Sequence, residues 1–314
     1  MDPIKAGLVI TRADPAAAVA AMVAAERRGA PMLWSTVAGI APDPLPIFTA
    51  VAAQASRAGL GTAIMPTYPR HPVALASEAL AVAGLAPGRL RLGIGPSHKF
   101  IIQDMYGIPF DRPLEHLREY VTVLRGLLWD GKVDFQGAHF HVKARLAGGA
   151  PPPRVPLPIA ALRPPSFRLA GEIADGGISW LCPVPYLLET ALPALREGAA
   201  AAGRPAPPLI GHVPVALSGD RDAVRAAAQA QIGPYARAPF YARMFGDAGF
   251  PVGADGKMSE PLIDELVVSG DAPAVAGRLR AIRAAGVDEL LITVLGVADQ
   301  DAEEGAVAEI LAAL

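Results

Sequence analysis

The sequence predicts an α/β fold, a (β/α)8 barrel with insertions. Three observations carry that prediction. Eight short runs are apolar almost throughout rather than alternating, which suits parallel strands buried on both faces. Helical patterns fill the intervals between them, as a ring of strand–helix units requires. Polar and aromatic groups collect just after the strands, where the loops of such folds bind ligands.

The candidate strands are Ile4–Ile10, Met32–Ser35, Gly61–Met65, Leu90–Gly95, Leu157–Leu162, Gly177–Leu181, Leu209–Leu217 and Glu289–Val294. Most are bounded by Gly or Pro. The clearest helix runs from Asp111 to about Trp129, with Asp111 as N-cap and Pro113 in the first turn. Leu114, Leu117, Val121, Leu124 and Leu128 form its apolar stripe, and Glu115, Arg118, Glu119 and Arg125 fall away from it. A second helix follows Asp271, with Val275, Leu279 and Ile282 as its stripe and Gly286 at C′. Two segments interrupt the rhythm. Residues 133–142 alternate around Gln136-Gly137 and read as an inserted hairpin. Residues 239–269 carry Phe240, Tyr241, Phe245 and Phe250 among glycines and read as a lid or a subunit contact. Ala150–Arg154 reads as a stiff connection, so the whole chain, 1–314, is expected to be one barrel domain.

Composition limits the function. With 52% hydrophobic residues and a net charge of -2, there is ample core and no general attraction to nucleic acid or an anionic membrane. The single cysteine, Cys182, cannot form an internal disulfide, and the first residues lack a signal-peptide layout. A cytoplasmic setting is expected. No run is long and apolar enough to suggest a membrane span.

Three loops carry chemistry. Gly93-Ile94-Gly95-Pro96-Ser97-His98 would let backbone approach a flat ligand while Ser97 and His98 donate hydrogen bonds. It is no dinucleotide fingerprint, because the third glycine is missing. Thr67–Pro72 is a proline-stiffened loop with Tyr68, Arg70 and His71, equally suited to a ligand wall or to structural pairing. Ala161–Ser166 opens a helix where Arg163, Ser166 and backbone N–H groups suit an anion, or a plain helix start. His139 and His141 could share a strand face, but no third metal ligand is near, and a solvated hairpin is the simpler reading. His116 and His212 read as helix-surface and strand-end residues. G-x-S-x-G, P-loop and HExxH motifs are absent. A ligand-ready mouth without its own nucleophile or metal points to an organic cofactor.

Further pieces sharpen this: Arg89–His98, Asp111-Arg112-Pro113 with His116, Arg118-Glu119-Tyr120, Val133–Gly137, Leu169–Gly176 and Asp271–Val287. With Thr67–Pro72 they resemble the luciferase-like monooxygenase superfamily, closest to its coenzyme F420-dependent branch. The resemblance implies a bacterial luciferase-like barrel, usually a homodimer, with a flavin or deazaflavin in its mouth. The ring would pack on Thr62, Ala63, Ile64 and Met65, where a non-prolyl cis peptide is often found. Gly95, Pro96, Ser97 and His98 would line it. Leu162, Arg163, Ser179 and Trp180 would lie near the phosphate-bearing tail. Two departures stand out: Arg163 replaces a common glycine, and Ser35–Ala38 replaces the Asp-His pair of sugar-phosphate dehydrogenases. The leading expectation is therefore an oxidoreductase that passes hydride between coenzyme F420 and a small organic substrate. Trp34, Tyr68, His71, Met105 and Tyr106 would form substrate walls, and His98 would donate a proton or hold the cofactor. The alternatives are an FMN-dependent monooxygenase using oxygen and a non-catalytic flavin-binding protein.

Overall fold

The structure is a computed structural model describing residues 5–37, 39–147 and 154–314. Its strands, in chain order, are β1 (Ala6–Val9), β2 (Met32–Ser35), β3 (Gly59–Thr62), β4 (Met65–Pro66), β5 (Leu90–Arg91), β6 (Ile94–Gly95), β7 (Lys132–Gln136), β8 (His141–Arg145), β9 (Ile159–Ala160), β10 (Gly177–Ile178), β11 (Leu209–Ala216), β12 (Val268–Ser269) and β13 (Glu289–Val294). The third and fourth staves are each broken in two, as β3/β4 and β5/β6. All pairings in the main sheet are parallel, and β13 returns to β1. Because β3 pairs with β5 and β4 with β6, the ring closes into an eight-stave barrel.

The predicted strands thus all correspond to staves, with differences at the breaks. The Ala63–Ile64 peptide, between β3 and β4, is cis. Thr62 Oγ1 donates to the Gly93 carbonyl at 2.7 Å, across the matching break in the fourth stave. Gly93 is required there: an added Cβ would lie 2.0 Å from the Thr62 carbonyl oxygen.

Helices begin on capping side chains. Asp14, Asp43, Ser259, Asp271 and Asp299 each accept a hydrogen bond from a first-turn amide. The expected cap at Asp111 is corrected. The helix Pro113–Asp130 starts on Arg112 in left-handed backbone without a side-chain cap. Its Glu119 is also not surface-facing, although its spacing places it off the stripe. The carboxylate is buried and accepts from the amides of Ala138, His139 and Phe140. Glu26 and Glu303 do the same, catching Ser56–Ala58 and Val297–Asp299. Three buried glutamates therefore each satisfy three consecutive loop amides, which is how a buried carboxylate is made tolerable.

The hairpin is β7 paired antiparallel with β8. The segment 239–269 contains the helices Pro239–Asp247 and Glu260–Leu266 and then β12, which pairs with the end of β11. The proline run 150–153 lies outside the described residues. Inside the ring, Val9, Met32, Trp34, Ala63, Ile178, Ile210 and Leu291 form a small core separate from the one outside the strands. Below them, Arg91 lies over Trp34 at 5.5 Å and pairs with Glu289, both side chains nearly buried.

Candidate active site

The inner core fixes which residues face the barrel mouth. Side chains alternate along a strand, so residues two beyond an inward one are inward again. Thr11 follows Val9, Thr36 follows Trp34, Trp180 follows Ile178, His212 follows Ile210 and Thr293 follows Leu291. These five form a polar layer above an apolar floor that includes Ala63 and Ile64. Thr11 Oγ1 and Thr36 Oγ1 lie 3.0 Å apart. Trp180 stacks on His212 with centroids 3.7 Å apart and planes 8° apart. His212 Nδ1 accepts from the Leu181 amide at 3.2 Å, and its Nε2 lies 2.9 Å from Thr293 Oγ1. Burial pushes the His212 pKa down to about 3, so its ring is neutral.

Of this layer, the sequence singled out only Trp180. His212 is corrected from a strand-end residue to a buried ring in the middle of β11. The signal available was parity: each missed residue stands two places past an apolar residue of its run, inside the run or just beyond its end.

The expected ring and tail residues fall into two groups. Ala63 and Ile64 border the inner core, and Gly95 is packed against Ala160 and Ile64, so that a Cβ would sit 2.7 Å from Ala160 Cβ. Thr62 and Ser179 are fully buried and bonded to backbone, and Met65 belongs to the outer core. Leu162 receives the Tyr186 hydroxyl on its carbonyl and gives its amide to Ser166 Oγ. Ser166 also accepts from the Arg163 amide and donates to the Arg163 carbonyl. The Arg163 guanidinium pairs with Asp247 at 3.0 Å. The groups proposed to hold an anion are thus occupied by one another and by the helix Pro239–Asp247.

Pro96, Ser97 and His98 curve over the mouth, with Ser97 at φ 62°. The His98 ring stacks on Phe240 at 5.1 Å and Phe100 at 5.7 Å, with Tyr235 and Tyr241 edge-on. That aromatic nest desolvates it and lowers its pKa. Among the proposed substrate walls, Met105 and Tyr106 stand exposed on a short π-helical turn, Ile101–Met105. Trp34 is 1% exposed, inside the barrel where Gly7 and Gly61 make room for it, so it forms floor and not wall. Tyr68 is stacked between His116 and Phe110, with its hydroxyl donating to the Asp111 carbonyl, and His71 Nδ1 caps the next helix by accepting from Val73.

His116 is likewise buried, not on the helix surface: its Nε2 lies 3.1 Å from Thr67 Oγ1. Burial and the nearby His139 push its pKa down to about 4. His139 sits in the hairpin turn at 5.4 Å from His116. No cluster of three metal-binding side chains exists among the described residues, and no helix there is long and apolar enough to cross a membrane.

Residues 3–289 match the model of the luciferase-like monooxygenase family. The chain belongs to that family. Among curated relatives, it is 33% identical over 198 residues to an F420-dependent glucose-6-phosphate dehydrogenase of Nakamurella multipartita, a match that covers 62% of this chain and 58% of that protein. It is 30% identical over 315 residues to the uncharacterized protein Rv1360 of Mycobacterium tuberculosis, covering 91% of this chain and 92% of that one. Among solved structures, an F420-dependent secondary alcohol dehydrogenase superposes with a TM-score of 0.83 at 19% identity, covering 99% of this chain and 98% of that one. The oxygenating constituent of 3,6-diketocamphane monooxygenase from Pseudomonas putida, in complex with FMN, gives 0.74 at 17% identity, covering 99% and 98%. These likenesses establish the barrel of the family.

The mouth suits the ring of such a cofactor on its own chemistry. A flat heteroaromatic ring has apolar faces and hydrogen-bonding edges, and the mouth offers an apolar floor rimmed by hydroxyls. It suits a strongly anionic tail less well. Arg12, Arg70 and Arg163, which follow β1, β4 and β9, are each paired with carboxylates.

Proposed function

We propose that this protein is an oxidoreductase that transfers hydride between coenzyme F420 and an uncharged organic substrate at the barrel mouth. The observation that carries this reading is the composition of the mouth itself: an apolar floor, a rim of neutral hydroxyl and indole groups, and no acid–base pair after β2. The stretch there is Ser35-Thr36-Val37, and Thr36 is engaged with Thr11. Hydride transfer depends chiefly on holding donor and acceptor in line, which such a mouth supplies without a built-in base. The missing acid–base pair after β2 argues against dehydrogenation of a sugar phosphate, although the curated relatives matched over part of the chain are named for it. The choice of F420 over FMN rests on the names of those relatives and on the best-superposing of the structures above.

When bound, the deazaflavin supplies the hydride chemistry. This chain's residues would seat the ring on Ala63 and Ile64, orient its edge with Thr293, Thr11 and Thr36, and close water out with the nest around His98. The homodimer and the cytoplasmic setting expected from the sequence belong to the same proposal.

The test is a pair of fluorescence titrations, with F420 and with FMN, followed by turnover on neutral ketones and secondary alcohols. Micromolar binding of F420 with turnover of a neutral substrate is expected. Preference for FMN with oxygen consumption would replace the proposal by a monooxygenase; tight binding without turnover over a broad panel would leave a binding protein. His98→Ala should lower turnover or affinity, and a variant unchanged in both would remove His98 from the site.

A further inference from the structure

The polar layer contains a hydrogen-bond chain whose direction is fixed by covalent chemistry. The Leu181 amide can only donate, so His212 Nδ1, 3.2 Å away, must accept and carries no proton. A neutral imidazole then bears its proton on Nε2, which faces Thr293 Oγ1 at 2.9 Å. Thr293 therefore receives a hydrogen bond from His212, and its own hydroxyl hydrogen must point elsewhere. Among the described residues His212 is its sole side-chain partner, and Thr293 is partly exposed at an inward position of β13. The free donor therefore faces the mouth. Two features keep the chain from reversing. Trp180 stacks on the imidazole face and fixes the ring plane. The His212 amide donates to Ser179 Oγ at 3.3 Å, and Ser179 donates to the Ile210 carbonyl, so neither of these groups competes for the imidazole nitrogens.

We infer that His212 and Thr293 form a one-way relay in which His212 is a positioning residue and Thr293 presents a hydroxyl donor to a ring carbonyl of the bound cofactor. The ligand chemistry is the pyrimidinedione edge that deazaflavin and flavin rings share, so the inference rests on the cofactor reading above but not on which cofactor is correct. An oriented neutral donor of this kind selects an acceptor without adding charge to the mouth.

The experiment has two arms. In the protein without cofactor, nitrogen-15 shifts of the His212 ring at pH 7 should show an unprotonated Nδ1 and a protonated Nε2. The opposite tautomer, or a doubly protonated ring, would overturn the relay. In the second arm, F420 and FMN are each titrated against wild type, Thr293→Val and Thr293→Ser. The Val variant keeps the shape and loses the donor; its affinity for whichever cofactor the wild type binds should fall about 10-fold, with a shift in the absorption band of the bound ring. The Ser variant should stay within about 2-fold. Equal binding by wild type and Thr293→Val would overturn the inference alone. A Ser variant as weak as Val would show that packing, not the hydroxyl, is at work, and would also overturn it. Binding of neither cofactor by the wild type would defeat the cofactor reading and the inference together. His212→Phe, which retains a ring beneath Trp180, should weaken binding in the wild-type background and add little to Thr293→Val; additive losses would deny that His212 acts through Thr293.

Discussion

Glu119 is the point at which the hairpin is fastened to the barrel, and its removal can be predicted quantitatively. Oε1 accepts from the Ala138 amide at 2.7 Å, and Oε2 from His139 at 2.8 Å and Phe140 at 3.0 Å. Gly137 allows this approach, since a Cβ there would lie 2.4 Å from Oε2. Hydrogen bonds to a charged acceptor are worth about 1.5–3 kcal/mol each, but the turn is partly exposed and water recovers some of that. Counting about 1 kcal/mol per amide gives about 3 kcal/mol for Glu119→Ala. Local opening of the turn should then be about 100-fold more frequent. Amide hydrogen exchange at Ala138, His139 and Phe140 measures this, with Ser56–Ala58, held by Glu26, as an internal control. A rise below about 5-fold, or an equal rise at the control amides, would refute the reasoning. The pH dependence has a definite sign. Burial raises the Glu119 pKa, but the three amides outweigh it and hold the carboxyl below the usual range. Its contribution is therefore complete above the unfolded value of about 4.3 and is lost as pH falls through the folded one.

Gly93→Ala should destabilise the fold by about 3 kcal/mol or more, because its Cβ meets the Thr62 carbonyl; Gly84→Ala, with nothing within 4 Å, should be neutral or better, and thermal melts compare them. His116 and His212 are held neutral, with pKa values near 4 and near 3. Their stabilisation is full above the unfolded value of about 6.5 and declines as pH falls from there, so urea midpoints should drop between pH 7 and 5, less steeply in His116→Gln. Glu289→Leu leaves the Arg91 guanidinium nearly buried against Trp34 and without its carboxylate, and should cost about 3 kcal/mol in chemical unfolding; adding Arg91→Met should restore most of it.

The staves were legible because each is a continuous apolar run, and the loops because their prolines, glycines and aromatics are local signals. The breaks at Thr62–Met65 and Arg91–Ile94 were not, since a run that turns aside and rejoins the sheet has the same composition as one that does not. His116 and Glu119 were misread for a related reason. Their helix has one stripe against the barrel, but the hairpin covers a second face, and a periodicity analysis sees only the first. The polar layer of the mouth escaped because Thr11, Thr36 and Thr293 are ordinary strand-end residues until the inner core shows which parity faces inward. Arg163 was visible as a cation; its partner, Asp247, lies 84 residues away, and no local pattern announces such a pair.

Closure of the ring also constrains how the protein is made. β1 leaves the ribosome long before one of its two neighbours, β13, with Ala6 opposite Leu290. At about 5–20 residues per second, that partner emerges roughly 15–60 s later. For that interval an apolar edge, Ala6–Val9, has hydrogen-bonding groups with no strand to meet them, the state in which nascent chains associate with one another. Arg12, just beyond that edge, waits as long for Asp301 and Glu304. The yield of soluble protein should therefore depend on translation speed and chaperone supply more than the stability of the finished barrel would suggest.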